Sequence, residues 1–263
     1  MVLYFSGTGN SQFVVSQIAK LLQDDDVISI NRYLKAGGET TLASKRPLLF
    51  VAPTYCWRLP RVVVRWIMRT TFKGSQSAYF ILTCGGSCGN AAHYARRLCA
   101  KKNLRFCGLA PIVMPENYQA LFSTPSQAQC QAIIQHAAPR IAAVAEQIRA
   151  GARLDTPPVS MLGKLQSGPV NPLFYALFVH DRGFRVSESC VSCGKCARRC
   201  PMNNIDLPKG RPIWKGNCTH CMACIAGCPT GAIAYKDRSA GRHRHYMMDD
   251  ALCWEVETRS DAE

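Results

Sequence analysis

Acidic residues are scarce in this chain of 263 residues, where 17 Asp and Glu stand against 32 Lys and Arg and the formal charge is +15. Basicity of this size suits nucleic acid, acidic proteins and anionic surfaces alike, so by itself it selects none of them. Other absences decide more. No apolar run approaches the roughly 20 residues that cross a bilayer, which excludes a membrane span. No G-x-G-x-x-G follows a strand-like run, so the dinucleotide fingerprint is missing and a bound nicotinamide is not indicated. Aromatic residues are 9% of the chain and little interleaved with the basic ones, which sets nucleic-acid binding aside. The chain opens directly on V-L-Y-F-S-G-T-G-N, without a basic leader or cleavable apolar segment, and the expected location is the cytoplasm.

Cysteine, by contrast, is plentiful and regularly placed. Eight of the 15 cysteines fall in two copies of one spacing, C-V-S-C-G-K-C-A-R-R-C-P and C-T-H-C-M-A-C-I-A-G-C-P, which start at Cys190 and Cys218, 28 residues apart. Consecutive two-residue gaps make a tight turn that converges three soft thiolates on one small object and aims backbone N–H groups at its sulfurs. The symmetry extends past the cysteines, since Cys200-Pro201 is followed by Ile205 and Cys228-Pro229 by Ile233 at the same offset. Zinc and disulfides are the alternatives. Zinc usually takes paired cysteines rather than four in a row, and disulfides need an oxidising compartment that nothing here announces. The spacing is that of bacterial two-cluster ferredoxins, whose cysteines hold [4Fe-4S] cubes. The candidate metal ligands are therefore Cys190, Cys193, Cys196, Cys200, Cys218, Cys221, Cys224 and Cys228. The resemblance implies that Cys190, Cys193 and Cys196 take their fourth ligand from Cys228, and Cys218, Cys221 and Cys224 theirs from Cys200.

The N-terminal half reads as alternating strands and helices. Residues 2–5 form a short apolar strand, followed by the loop Ser6, Gly7, Thr8, Gly9, Asn10 and Ser11 and then by helical periodicity to Leu22. Small hydroxyl residues and glycines at a helix N-terminus suit a phosphate, because free N–H groups and the helix dipole both favour an anion there. Further strands are expected at 27–30, 47–52, 78–83 and 104–114. The third ends in a loop with Thr54, Tyr55 and Trp57, whose rings offer a stacking face. The fourth runs into Cys84-Gly85-Gly86-Ser87-Cys88-Gly89-Asn90, where glycines permit close backbone approach. A further loop, Pro115 to Tyr118, leaves the same rim.

Loops at the carboxyl ends of parallel strands are where open α/β sheets bind ligands, and in the order 2-1-3-4-5 the switch point holds FMN. Here the chain resembles a flavodoxin. The resemblance implies that Ser6 to Ser11 hold the FMN phosphate, Thr54, Tyr55 and Trp57 the isoalloxazine, and Gly85, Gly86, Gly89 and Asn90 the pyrimidine edge. It departs from many flavodoxins in its basic charge and in having no aromatic on the second loop before Tyr94, so the second flavin face is expected to be open or covered by the other domain.

Residues 127–150 read as the last helix on the sheet, and 151–169 as a linker poor in periodicity. The run 171–179 is apolar on all sides and reads as a helix buried between domains, with membrane contact as the alternative. Arg61, Arg65 and Arg69 share a helix face beside Arg58, either as a solvated face or as a docking stripe for an acidic redox partner. The cysteines at 56, 84, 88, 99, 107, 130 and 253 lack a ligand spacing; Cys84 and Cys88 are either redox-active near the ring or small core residues. His243 and His245 read as surface residues.

The expected fold is α/β, a flavodoxin-like doubly wound parallel sheet plus a small α+β two-cluster ferredoxin domain. Its division is 1–150 for the FMN domain, 151–185 for linker and interdomain helix, 186–236 for the 2[4Fe-4S] domain and 237–263 for the tail. The layout resembles the flavodoxin-ferredoxin fusion proteins of anaerobic bacteria. That family implies an electron carrier passing electrons between two clusters, a flavin and redox partner proteins, rather than an enzyme with its own substrate. A flavin-dependent reductase fed by its clusters is the alternative.

Overall fold

The computed structural model describes residues 1–156, 158–236 and 238–249. In chain order the sheet domain contains β1 (Val2–Tyr4), α1 (Asn10–Leu22), β2 (Val27–Ser29), α2 (Ile30–Ala36), β3 (Thr41–Ala43), β4 (Leu48–Pro53), α3 (Arg61–Arg69), β5 (Thr71–Lys73), β6 (Ser77–Cys84), α4 (Ala91–Lys101), β7 (Arg105–Val113) and α5 (Gln127–Arg149). After these come α6 (Met161–Leu165), a π-helical turn at Gln166–Val170, and α7 (Asn171–Phe178). The remaining elements are β8 (Phe184–Val186), α8 (Lys195–Arg198), β9 (Ile205–Asp206), β10 (Ile213–Trp214), α9 (Ala223–Ala226) and β11 (Ile233–Tyr235).

Five strands form one parallel sheet in the order β2-β1-β4-β6-β7, which is 2-1-3-4-5 counted along that sheet alone. This is the flavodoxin-like order. The near-continuous apolar runs of β4 and β6 follow from burial on both faces, and alternation along each strand sorts the two cores. Leu3, Phe5, Phe50 and Phe80 meet Val62, Val63, Trp66 and Leu98 of α3 and α4 on one face. Val2, Tyr4, Val51 and Ile81 meet Val14, Ile18, Ile141 and Val144 of α1 and α5 on the other. The parallel pair of β3 with β5 carries no sequence signal.

The 28-residue repeat is visible in the backbone. Helices α8 and α9 lie one repeat apart, and so do the left-handed residues Ser192 and His220 (φ 54° and 53°) and Gly194 and Met222 (φ 71° and 61°). The turns between cysteines therefore have one shape in both copies. The small core contains Phe184, Ile205, Ile225, Ile233 and Tyr235, with Phe184 stacked on Trp214 at 4.8 Å.

Two expectations need correction. Helix α7 is not buried between domains. Leu173 and Leu177 are 58% and 57% exposed, and the helix is held at its start, where the enclosed amide of Asn171 donates to Cys56 O at 2.7 Å. His245 is not a surface residue. Residues 244–249 fold back over α1, so that the His245 ring is buried beside Asn10 Oδ1 at 3.0 Å and the Met247 amide donates to Thr8 O at 3.0 Å. His243 is exposed, and Cys253 lies outside the described residues.

Candidate functional site

A groove of about 430 Å³ opens at the carboxyl ends of β1, β4, β6 and β7. Ser6, Gly7, Thr8, Asn10, Ser11, Thr54, Tyr55, Trp57, Gly85 and Gly86 all line it, whereas Gly9, Gly89 and Asn90 do not. Gly9 instead caps α1 at φ 109° with Met247 packed against it, and Gly89 sits against Trp57 and Ser167. The Asn90 amide donates to Ser167 Oγ at 2.7 Å.

The loop after β1 is fixed by side chains. Asn31 accepts from the Ser6 amide at 3.1 Å and donates to Ser6 O at 2.7 Å, while Ser11 Oγ meets Thr83 Oγ1 at 2.9 Å. The first-turn amides of α1, at Asn10, Ser11 and Gln12, have no partner within the helix, and Asn10 and Ser11 line the groove.

The loop after β4 is a two-residue turn closed by Tyr55 and Arg58, whose amides and carbonyls exchange bonds of 2.8 and 3.2 Å. Its central residues Cys56 and Trp57 both have positive φ, 46° and 59°. Such a turn normally takes Asn-Gly, and side chains there cost about 1–3 kcal/mol each. The segment before α7 supplies the restraint: Ser167 Oγ donates to Trp57 O at 3.0 Å, Asn171 grips Cys56 O, and Arg58 Nε donates back to Ser167 O. Ser167 falls in the stretch expected to be a linker and Asn171 at the start of the apolar helix, and neither was expected to hold this turn. The one available signal was a serine just before Gly168-Pro169 and an asparagine two residues after it.

The groove's other wall comes from Phe174, Tyr175 and Val179, and from Thr219 to Met222 of the second cysteine motif. Tyr118 Oη lies 2.9 Å from His220 Nδ1, and burial holds His220 below its ordinary pKa, so the ring is neutral. A Cβ on Gly7 would come within 2.1 Å of Cys221 O, so glycine alone lets the two loops touch. The second side of the groove is thus covered by α7 and the second cysteine motif, with Tyr118 and Phe122 of the loop after β7 also lining it. Thr54 Oγ1 is enclosed and has no hydrogen-bond partner among the described residues. An orphaned hydroxyl, free helix amides and an enclosed slot bounded by Tyr55 and Trp57 fit a planar, phosphate-bearing cofactor. Burial pushes the Cys84 thiol up to about 12, which keeps it protonated at neutral pH and favours the small-residue reading.

The eight repeat cysteines surround two further cavities. One is lined by Cys190, Cys193, Cys196 and Cys228, the other by Cys218, Cys221, Cys224 and Cys200, so each draws three thiols from one motif and one from the other. Backbone amides point at the sulfurs, Asn204 N at Cys200 Sγ and His220 N at Cys218 Sγ, both at 3.3 Å. Lys35 of α2 donates to Ala197 O and Cys200 O at 3.1 and 3.3 Å and ties the sheet domain to the first motif. Among the described residues no three Cys, His, Asp or Glu side chains stand close enough to hold a single metal ion. The donor set is all thiol, which suits an iron-sulfur cube.

Arg61, Arg65 and Arg69 are all exposed, but not as one free stripe, since the Arg61 guanidinium stacks on Tyr175 at 4.0 Å. Arg58 stacks on Tyr94 at 3.5 Å.

The 4Fe-4S dicluster domain family matches residues 189–233. A ferredoxin of Methanothermococcus thermolithotrophicus is 34% identical over 47 residues, 17% of this chain and 78% of that protein. A ferredoxin of Pyrobaculum islandicum is 40% identical over 50 residues, 18% of this chain and 46% of that protein. The chain thus spans under half of this second relative, and only 13% of YccM, an Escherichia coli protein provisionally named for electron transport. The solved structure of general stress protein 14 from Treponema denticola, in complex with FMN, overlaps 56% of this chain and 98% of its own at a TM-score of 0.35 and 10% identity. The strand order, not that overlap, carries the flavodoxin-like assignment. Through its cysteine-bearing half the chain belongs to the ferredoxin family, and it joins that 4Fe-4S domain to a flavodoxin-like one.

Proposed function

We propose that the chain is an electron-transfer protein that holds two [4Fe-4S] clusters and FMN and passes electrons between them and on to a redox partner. The observation that carries this reading is the shared wall of the groove, where Gly7 of the phosphate loop packs directly on Cys221. Bound clusters exchange single electrons and a flavin one or two, so the pairing joins one-electron to two-electron partners. The chain's own residues set the geometry. Cys190, Cys193, Cys196 and Cys228 hold one cube, and Cys218, Cys221, Cys224 and Cys200 the other, next to the flavin slot. Ser6 to Ser11 take the phosphate, with Thr54, Tyr55, Trp57, Gly85 and Gly86 at the ring. Gly9, Gly89 and Asn90 shape the loops without touching the ligand. Neutral Tyr118 and His220 exclude water between slot and cluster. The excess of basic residues in both halves favours an acidic redox partner, whose reduction slows as salt rises. Among the described residues no cysteine is in a disulfide, which favours a reducing compartment, the cytoplasm.

The test is anaerobic purification with iron, sulfide and flavin stoichiometry. About eight irons per chain and one FMN, released by heat and identified by chromatography, are expected; FAD, or four irons, defeats the reading. Electron paramagnetic resonance of the reduced protein tests the exchange of ligands. Cys228→Ala should disturb the same signal as Cys193→Ala, and a match to Cys221→Ala instead shows that each motif serves its own cube.

A further inference from the structure

A second hollow, of about 700 Å³, lies between α3, α4, α7 and the start of the second cysteine motif. Arg61 and Arg65 enter it from α3, and Arg97 and Lys101 from α4. No Asp or Glu lines it, and among the described residues none of these four cations is in an ion pair. The floor is apolar, formed by the buried Leu59, Val62 and Leu98 with Met202. One end reaches Cys218, and Tyr175, Val179 and Thr219 separate this hollow from the flavin slot, since they line both.

With Arg58, which also lines the hollow, five like charges around one concavity repel each other, and neither helix supplies a counter-ion. An anion seated among them relieves that repulsion and gains charge-assisted hydrogen bonds from the guanidiniums. The apolar floor asks the same ligand for an apolar body. A hollow of this size falls within the range of small-molecule sites, about 300–1,000 Å³, whereas protein partners need broad, flatter contact. We propose that the hollow binds a small organic anion, a phosphate, sulfonate or carboxylate carried on a compact apolar body. The anionic group sits among Arg61, Arg65, Arg97 and Lys101, the body rests on Leu59, Val62 and Leu98, and the bound molecule lies beside Cys218. The site stands on these side chains whether or not the adjoining slot holds flavin.

The probe is 1-anilinonaphthalene-8-sulfonate, titrated calorimetrically into the protein as purified anaerobically. One molecule per chain should bind, and Arg65→Gln with Arg97→Gln should weaken it about tenfold or more. Lys20→Gln with Arg153→Gln, an equal loss of charge elsewhere, should leave binding unchanged, as should Leu173→Ser with Leu177→Ser on the exposed side of α7. If the arginine pair disturbs folding, the uncharged N-phenyl-1-naphthylamine replaces the variants and should bind about tenfold more weakly than the sulfonate. The proposal falls if the sulfonate does not bind, if both charge pairs weaken it equally, if the leucine pair abolishes binding, or if the uncharged analogue binds as well. Arginine-dependent binding of a polyglutamate peptide without the sulfonate also overturns it, in favour of an acidic protein partner.

Discussion

In the sheet domain β6 is buried along all eight residues and Phe5, Phe50 and Phe80 are fully enclosed, whereas the cysteine domain has strands of two or three residues and a helix, α8, with no buried residue. The difference is one of size. A domain of this length buries too little apolar surface to offset chain entropy and needs a metal or cross-links, while the sheet domain closes two cores around its own strands. One half therefore folds on hydrophobic burial, and the other is expected to fold on its inorganic contents. The contacts that join them are polar at Gly7 on Cys221 and at Lys35 to Cys200 O, and apolar where Met202 packs on the sheet-domain core and Ala120 and Tyr118 on the small one, so whether each half can fail alone is what the variants below decide.

The strongest way to break this contrast is to strip the metal. Anaerobic chelation should abolish amide-exchange protection across residues 184–235 while β4 and β6 remain protected, because cluster binding is folding free energy for the small domain. Loss of protection in the central sheet at the same chelator concentration would show one cooperative unit. A core deletion attacks the other side. Phe80→Ala should destabilise the sheet domain by about 3–5 kcal/mol in chemical denaturation, with the visible absorbance of the cysteine domain unchanged before unfolding. Bleaching in native buffer would contradict that independence.

The smallest effect concerns residues 244–249, which bridge the halves. Arg244 donates to Ile225 O and Gly231 O, both at 2.5 Å, and His245 is buried beside Asn10. Burial, with His243 nearby, lowers the His245 pKa from its ordinary value of about 6.5. The folded contact therefore prefers the neutral ring: its stability is complete above about pH 6.5 and falls as the pH drops through the window beneath. Exchange of the Met247 amide, corrected for the intrinsic rate, should quicken between about pH 7 and 5.5, and His245→Gln should flatten that dependence. An unchanged rate in the wild type rejects a role for the ring.

Regular chemistry was legible in the sequence. Cysteine spacing, apolar runs and glycine-rich turns are local signals, and the sheet order and the backbone repeat followed from them. The strained turn at Cys56-Trp57 was not legible, because neither residue favours positive φ and its restraint comes from Ser167 and Asn171, more than a hundred residues away. Helix α7 misled for a related reason. A helix apolar all round normally reads as enclosed, but this one is fastened by its first turn and by Tyr175, and its outer face is left in water. His245 misled through composition, since an Arg-rich neighbourhood hid one ring with a partner on α1.

The packing of Gly7 on Cys221 changes what a routine substitution would report. A glycine in a phosphate loop is commonly replaced to ask whether the loop binds its anion. Here an added methyl would sit 2.1 Å from a carbonyl oxygen of the opposite domain, so Gly7→Ala acts as a wedge that parts the halves even with no ligand bound. Gly86, where a Cβ meets nothing within 4 Å, is the position at which a side chain would change the slot alone.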